Sequence, residues 1–331
     1  MRTRPRIGRI VLTVVLALAA LVVILNWTWG RIPGEPPMTG RILRVGSTDV
    51  RVLERPGTGP AVVLIHGLPG TAQDFDLVTA RLPGVHTIAY DRPGFGYSSG
   101  GYHPFAEQIA TLHALLAQMG IARPVLVGHS YGGTIALAYA ERYPQDVRGL
   151  VLLDAAAGGE HSRFADRAQS HLVQFLSWPV VQPIADATFS QLVRTVSAKQ
   201  GDARAFDPGA VAPAHERRLL ALNMQHSDLD AYAAEQLHAD GAIAGVDKGL
   251  ATIAVPAIVI QGVHDQLVEP QHGRRLAASL PHARLVMVSG GHMAPYVHPA
   301  LVAAAVRELL APPATRPQAL RARERARSAA R

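Results

Sequence analysis

Residues 41–310 of this 331-residue chain are predicted to fold as an α/β domain on a doubly wound, mostly parallel sheet that carries an inserted all-helical lid. Three observations lead there. Short, fully apolar runs at 61–65, 124–127 and 255–260, rich in β-branched residues, read as strands buried on both faces, as a parallel sheet requires. Strand runs alternate with helical patterns through the first half of the chain, which indicates βαβ units. The alternation then lapses. Between 155 and 249 there are helical patterns (163–176, 184–199, 215–225, 229–238) separated by Pro179, Pro183, Pro208 and Pro213, with no strand pattern. An all-helical stretch between two sheet strands is a lid.

The chain opens on Arg2, Arg4, Arg6 and Arg9, and an uncharged apolar run then extends from residue 10 through Trp27 and Trp29. As a helix, residues 10–29 span about 30 Å, the hydrocarbon thickness of a bilayer. The arginines should stay in the cytoplasm and the tryptophans sit at the far interface. Residues 1–9 are therefore expected to be a basic cytoplasmic terminus and 10–29 a transmembrane signal-anchor in the lipid bilayer, with the body on the non-cytoplasmic side. A cleaved signal peptide is the alternative, with Thr28-x-Gly30 as a weak small-x-small site, although the apolar core exceeds the usual length of about 7–15 residues. Residues 30–40, with three prolines, read as a linker.

Within the body, residues 41–45 and 49–54 alternate apolar and polar around Gly46-Ser47 and predict an edge hairpin. Residues 57–60 read as a second turn, 72–81 as a helix, 85–90 as a strand and 105–119 as a helix closed by Gly120. After the strand at 124–127 come a helix over 134–143, stopped by Pro144, and a strand at 148–153. The sheet resumes at 255–260, continues at 284–288 and is followed by a helix over 299–310. The core is thus expected to comprise 41–154 and 250–311, the lid 155–249, and 312–331 a basic tail without a packed core.

One stretch carries chemistry, Gly128-His129-Ser130-Tyr131-Gly132-Gly133, set between strand and helix. A serine in so tight a turn takes a strained backbone conformation, tolerable only if its neighbours lack bulk, and Gly128 and Gly132 supply that clearance. The hydroxyl then stands at the start of a helix whose dipole favours a developing negative charge. A serine needs a histidine to take its proton, and the histidine needs a carboxylate to fix its tautomer. Asp265, five residues past the strand at 255–260, and His292, four past the strand at 284–288, lie where a parallel sheet presents such partners. Asp154 also ends a strand and is the rival acid. His66 and His129 read as turn supports, and Asp91 as a brace of its own loop.

These motifs, with His66-Gly67-Leu68-Pro69-Gly70, Asp91-Arg92-Pro93-Gly94-Phe95-Gly96-Tyr97-Ser98, Gly262-x-x-Asp265 and Gly290-Gly291-His292, resemble the α/β-hydrolase superfamily with a helical lid over about 41–310. The resemblance implies Ser130 as nucleophile, His292 as base, Asp265 as orienting acid, and the backbone N–H groups of Leu68 and Tyr131 as oxyanion donors. Relatives that dehalogenate or open epoxides carry Asp at the elbow, and serine at 130 disfavours both. The expected activity is that of a serine esterase or lipase on a small-molecule acyl substrate. A carbon–carbon bond hydrolase or acyltransferase on the same triad, or a non-catalytic binding protein, are the alternatives. Phe175, Trp178, Met224 and Met293 either line an apolar acyl pocket or simply join lid to core.

Composition narrows the rest. The chain has no cysteine, so thiolate chemistry and disulfides are excluded. No His/Asp/Glu run has metal-ligand spacing and no phosphate loop is present, so neither metal nor cofactor is expected. The net charge of +7 belongs to the arginine-rich ends, leaving a slightly acidic body and no footprint for nucleic acid. The sequence leaves the oligomeric state open.

Overall fold

The computed structural model describes residues 4–30, 34, 36–99, 101–159, 171–172, 174–175, 178, 180–206, 212, 214, 217–218, 221–222 and 226–312. Its centre is an eight-stranded sheet of β1 (Arg41–Val45), β2 (Thr48–Arg55), β3 (Thr58–Ile65), β4 (Val85–Tyr90), β5 (Val125–His129), β6 (Gly149–Leu153), β7 (Ala257–Gly262) and β8 (Ala283–Val288). Their order is β1-β2-β4-β3-β5-β6-β7-β8. β2 pairs antiparallel with β1 and β4, and every other pairing is parallel. The central strands sort their side chains by strict alternation. Val63, Ile65, Leu126, Leu150, Leu152 and Val259 enter one apolar layer, while Val62, Leu64, Val125, Val127, Val151, Leu153, Ile258 and Ile260 enter the other. The first layer is covered by α3 (Phe105–Gln118) and α4 (Tyr131–Arg142), and the second by α10 (Pro299–Leu310).

Two local expectations change and one helix is added. Residues 57–60 are not a turn: β3 begins at Thr58, which pairs with Val85 before an irregularity that ends at Val62. Gly59 at φ 79° and Pro60, which has no N–H, make a bulge there rather than a reversal. The helix expected over 72–81 starts as a 3₁₀ turn, Ala72–Phe75, and its α-helical part, α2, covers only Asp76–Thr79. The carboxylates of Asp74 and Asp91 take the N–H groups of Thr71 and Ala72 and tighten that entry. The helix α8 (Pro270–Ser279) was hidden by Gly273, which packs so closely on Gln261 that a Cβ would lie 2.7 Å from its Oε1. The last two helices follow β8 as α9 (Ala294–Val297) and α10.

Between β6 and β7 the described residues hold α5 (Gln182–Thr188), α6 (Ser190–Phe206) and α7 (His226–Gly249). The expected helices over 163–176 and 215–225 fall mainly outside the described residues. α7 is not a detached flap: Ala239, Ile243 and Val246 of its second half belong to the same apolar cluster as α4. The N-terminal helix α1 (Arg4–Thr28) contains one segment, Gly8–Thr28, long and apolar enough to cross a membrane. Its last turn meets the inserted helices. The buried Asn26 donates to Asp186 O at 2.7 Å and accepts from Leu192 N–H at 2.9 Å. Leu192 lies in the first turn of α6, where helical N–H groups lack intrahelical partners, so Asn26 caps a helix distant in sequence. Trp27 Nε1 donates to Ala187 O beside it.

Candidate active site

Ser130 sits between β5 and α4 at φ 52°, ψ −123°, a conformation side chains rarely adopt. The turn is over-determined by its main chain. Ser130 N–H donates to Leu153 O, and Ser130 O accepts from Gly133 and Ala156 N–H at 2.9 and 3.1 Å. A Cβ at Gly128 would lie 2.5 Å from Gly132 O, and one at Gly132 would strike Ile65 O. Both glycines are therefore needed for the turn to close. A Cβ at Gly67 would come within 3.0 Å of Ser130 Cβ, so the loop after β3 passes directly over the serine.

His292 and Asp265 are brought together. Nδ1 of His292 lies 2.8 Å from Asp265 Oδ2, and the pair is buried. Asp265 Oδ1 accepts from Leu267 and Val268 N–H at 2.8 and 2.9 Å, and Gln261 Nε2 donates to Oδ2. Burial alone would raise this carboxyl, but the His292 charge and these donors outweigh it and hold it below the usual range. Burial likewise opposes protonation of His292, and the Asp265 carboxylate more than offsets it, so the imidazole titrates above its usual value. The loop bearing His292 is tied to its surroundings by His292 N–H on Ala205 O of α6 (2.7 Å) and by His292 O against His129 Nε2 (2.8 Å). His129 is pushed down to about 3, by burial first and then by His292.

Asp154, the rival acid, faces two backbone donors instead of an imidazole: Gly262 N–H reaches Oδ1 at 2.8 Å and Ala294 N–H reaches Oδ2 at 3.0 Å. It clamps the ends of the two loops that carry Asp265 and His292. Burial, helped by the Asp265 charge, pushes it up to about 7. His129, Asp154 and His292 offer ligand atoms within 4.8 Å of one another. The Asp154 oxygens, His129 Nε2 and His292 Nδ1 are engaged by the bonds just described, whereas His129 Nδ1 has no partner among the described residues.

Of the other sequence-derived candidates, Leu68 lies in the loop over Ser130 and Tyr131 opens α4. Met293 is buried with Ala205, Phe206 and Tyr296. Phe175 and Trp178 touch each other, with ring centroids 5.7 Å apart, and stay 50% and 61% exposed. Met224 is outside the described residues. Asp91 braces its loop, accepting from Ala72 and Tyr97 N–H and pairing with Arg51. Sequence reasoning missed Arg92, Gln108 and Glu235, which form a buried cluster next to the loop after β3. The only local signal was a lone glutamate among alanines, Ala233-Ala234-Glu235.

The fold and these motifs have known counterparts. Residues 60–299 match the model of the alpha/beta hydrolase fold family, and the chain belongs to that family. It is a lipase/esterase-like hydrolase. It is similar to Lipase 1 of Psychrobacter immobilis, 27% identical over 76% of this chain and 77% of that protein. Among solved structures, it shares its fold with an esterase from Exiguobacterium antarcticum (TM-score 0.65, 20% identity, 82% of this chain and 100% of that one). A structure described as a membrane phospholipase A and bacterial virulence factor superposes over 93% of this chain and 98% of its own (TM-score 0.64, 21% identity).

Proposed function

We propose that the chain is a membrane-anchored serine hydrolase cleaving a carboxylic ester, or a related acyl bond, through an acyl-enzyme. One observation carries this reading: the 2.8 Å pairing of His292 Nδ1 with the buried Asp265, on the same sheet edge as a serine held at positive φ. The carboxylate keeps the proton on Nδ1, which leaves Nε2 to accept a proton from Ser130 as its oxygen attacks the carbonyl carbon. The N–H groups of Leu68 and Tyr131 receive the oxyanion. The carbonyl re-forms as the alcohol departs with the proton from His292, and water, activated by the same imidazole, then releases the acid. Asp154 serves as a structural clamp because both its oxygens face main-chain donors. The substrate class follows the names of the relatives, lipases and esterases.

The anchor reading draws on Asn26 and Trp27, whose side chains bond to the helical insertion, whereas a segment cleaved near residue 30 would leave the protein after secretion. The arginines ahead of the span favour a body on the non-cytoplasmic side. The core (41–154, 250–311), lid (155–249) and basic tail (312–331) complete the assignment.

The test is covalent labelling of the full chain in detergent with a fluorophosphonate, beside hydrolysis of a short p-nitrophenyl ester. Ser130→Ala should abolish both while leaving the circular dichroism spectrum unchanged. Equal turnover by that variant refutes the assignment. A mature N-terminus at about residue 31 refutes the anchor alone.

A further inference from the structure

Arg92 follows β4 and is fully buried, as is Glu235 of α7. NH1 of Arg92 donates to both carboxylate oxygens of Glu235, at 2.8 and 3.0 Å, and to Gln108 Oε1 at 2.7 Å. Gln108 Nε2 donates in turn to Glu235. NH2 of Arg92 donates to Gly67 O at 2.8 Å. The guanidinium also lies over Phe95 and Tyr131, 4.5 and 5.4 Å from the ring centroids. Nε has no partner among the described residues, so the two terminal nitrogens carry the contacts of the fork.

Gly67 O and Leu68 N–H belong to one peptide plane. That peptide is trans, so its carbonyl and its N–H point in opposite directions. A group that holds Gly67 O therefore aims Leu68 N–H, and by polarising the amide it strengthens that N–H as a donor. A second bond acts on the same oxygen. Arg92 N–H donates to His66 Nε2 at 2.9 Å, so the ring proton is on Nδ1, which donates to Gly67 O at 3.0 Å. Burial, and next the Arg92 charge, keep His66 neutral well below its usual range, which preserves this tautomer.

We propose that Glu235 is a positioning residue: from the helical insertion it orients the Arg92 fork, which aims the Leu68 N–H at the oxyanion and braces the Tyr131 ring beside the second donor. The insertion thereby helps assemble the oxyanion pair. The inference rests on the serine-hydrolase reading above and adds to it a coupling between lid and donor.

Four full-length proteins in detergent test the coupling: wild type, Arg92→Lys, Glu235→Gln and the double variant. Lysine keeps the charge but has no fork to span Gly67 and Glu235. Each single variant should lower kcat for a short p-nitrophenyl ester about tenfold, below the 10²–10³ expected when a donor is lost outright. KM should stay within twofold. Inhibition by a short alkyl trifluoromethyl ketone, whose adduct carries the oxyanion, should weaken by the same factor as kcat. The double variant should be no worse than either single one, because the two act in series. Glu235→Asp replaces Glu235→Gln if the latter does not fold, with the same expected direction, and failure of both to fold would reduce the pair to a folding element and overturn the proposal. A kcat within twofold of wild type, a change in KM alone, or losses that multiply in the double variant would also overturn it. Ser130→Ala separates the two levels. If it retains turnover the serine reading falls, and if it is dead while Glu235→Gln is unimpaired only the coupling falls.

Discussion

Along the carboxyl edge of the sheet, polar side chains are fixed largely by partners in their own loop or at a neighbouring strand end. Asp265 accepts N–H groups two and three residues further on, and Asp154, whose donors lie 108 and 140 residues along the chain, joins the start of the loop after β7 to the end of the loop after β8. The helical insertion is also tied to elements far away in sequence. Glu235 answers Arg92 from 143 residues away, and Leu192 N–H is capped by Asn26 across 166. The edge residues meet because parallel strands end side by side, whatever their separation along the chain. Long-range wiring makes the position of the insertion depend on the rest of the chain being in place. The first arrangement fixes His292 against Asp265, and the second fixes the insertion against the sheet.

The sharpest way to break this contrast is to exchange the two acids' surroundings. Asp265→Asn should lower kcat by about 10³–10⁴ through loss of the correct His292 tautomer. Asp154→Asn keeps one acceptor and turns an amide against the other donor, so it should act mainly on melting temperature and change kcat less than tenfold. Ester assays and thermal melts on both variants check this, and the reverse ranking would make Asp154 the orienting acid. Next in size, Leu152→Ala in the sheet core should cost about 2–5 kcal/mol in urea unfolding. Val180→Ser ahead of α5, where Val180 is 81% exposed, should stay within about 0.5 kcal/mol in detergent.

The pH profile sharpens the same picture. His292 is faced by Asp265, Asp154 and His129, and its pKa is raised above the usual 6.5. Its neutral form accepts the proton, so kcat/KM should fall about tenfold per pH unit on the acid side of a midpoint above 6.5. Asp265→Asn should move that midpoint down. The linked stability has the opposite sense: the raised pKa of His292 contributes stability below about pH 6.5 that is lost as pH rises through the folded-state value. At the far end of α6, Asn26→Ala should destabilise the helix by about 0.5–2 kcal/mol, the usual range for a lost cap, and hydrogen exchange at 190–194 should quicken.

The same division governs what could be read from the sequence. The strands at 125–129 and 149–153 were legible because they are short, apolar and buried on both faces. The elbow was legible because its glycines are sterically obligatory within six residues. The positions of Asp265 and His292 followed from strand ends, a rule of topology that holds wherever a parallel sheet presents its loops to one edge. What stayed hidden depends on pairing across the chain. Nothing near Gln73 or Asp91 in sequence announces that the buried Arg51 will join them, at 2.6 and 3.1 Å. The bulge at Gly59-Pro60 was misread because Gly and Pro mark bulges and turns alike, and only the register with β4 distinguishes them. Phe175 and Trp178 show the limit for aromatic residues: their spacing says they will meet each other, but not what else they will touch.

Asn26 connects the end of α1 to the loop that carries His292. It completes the main chain of α6 from the end of α1, and α6 in turn gives Ala205 O to the His292 backbone. A version trimmed after Gly30 would lose the capping oxygen at one end of a helix whose other end bonds the His292 main chain, so the cut would be felt in the loop that carries His292.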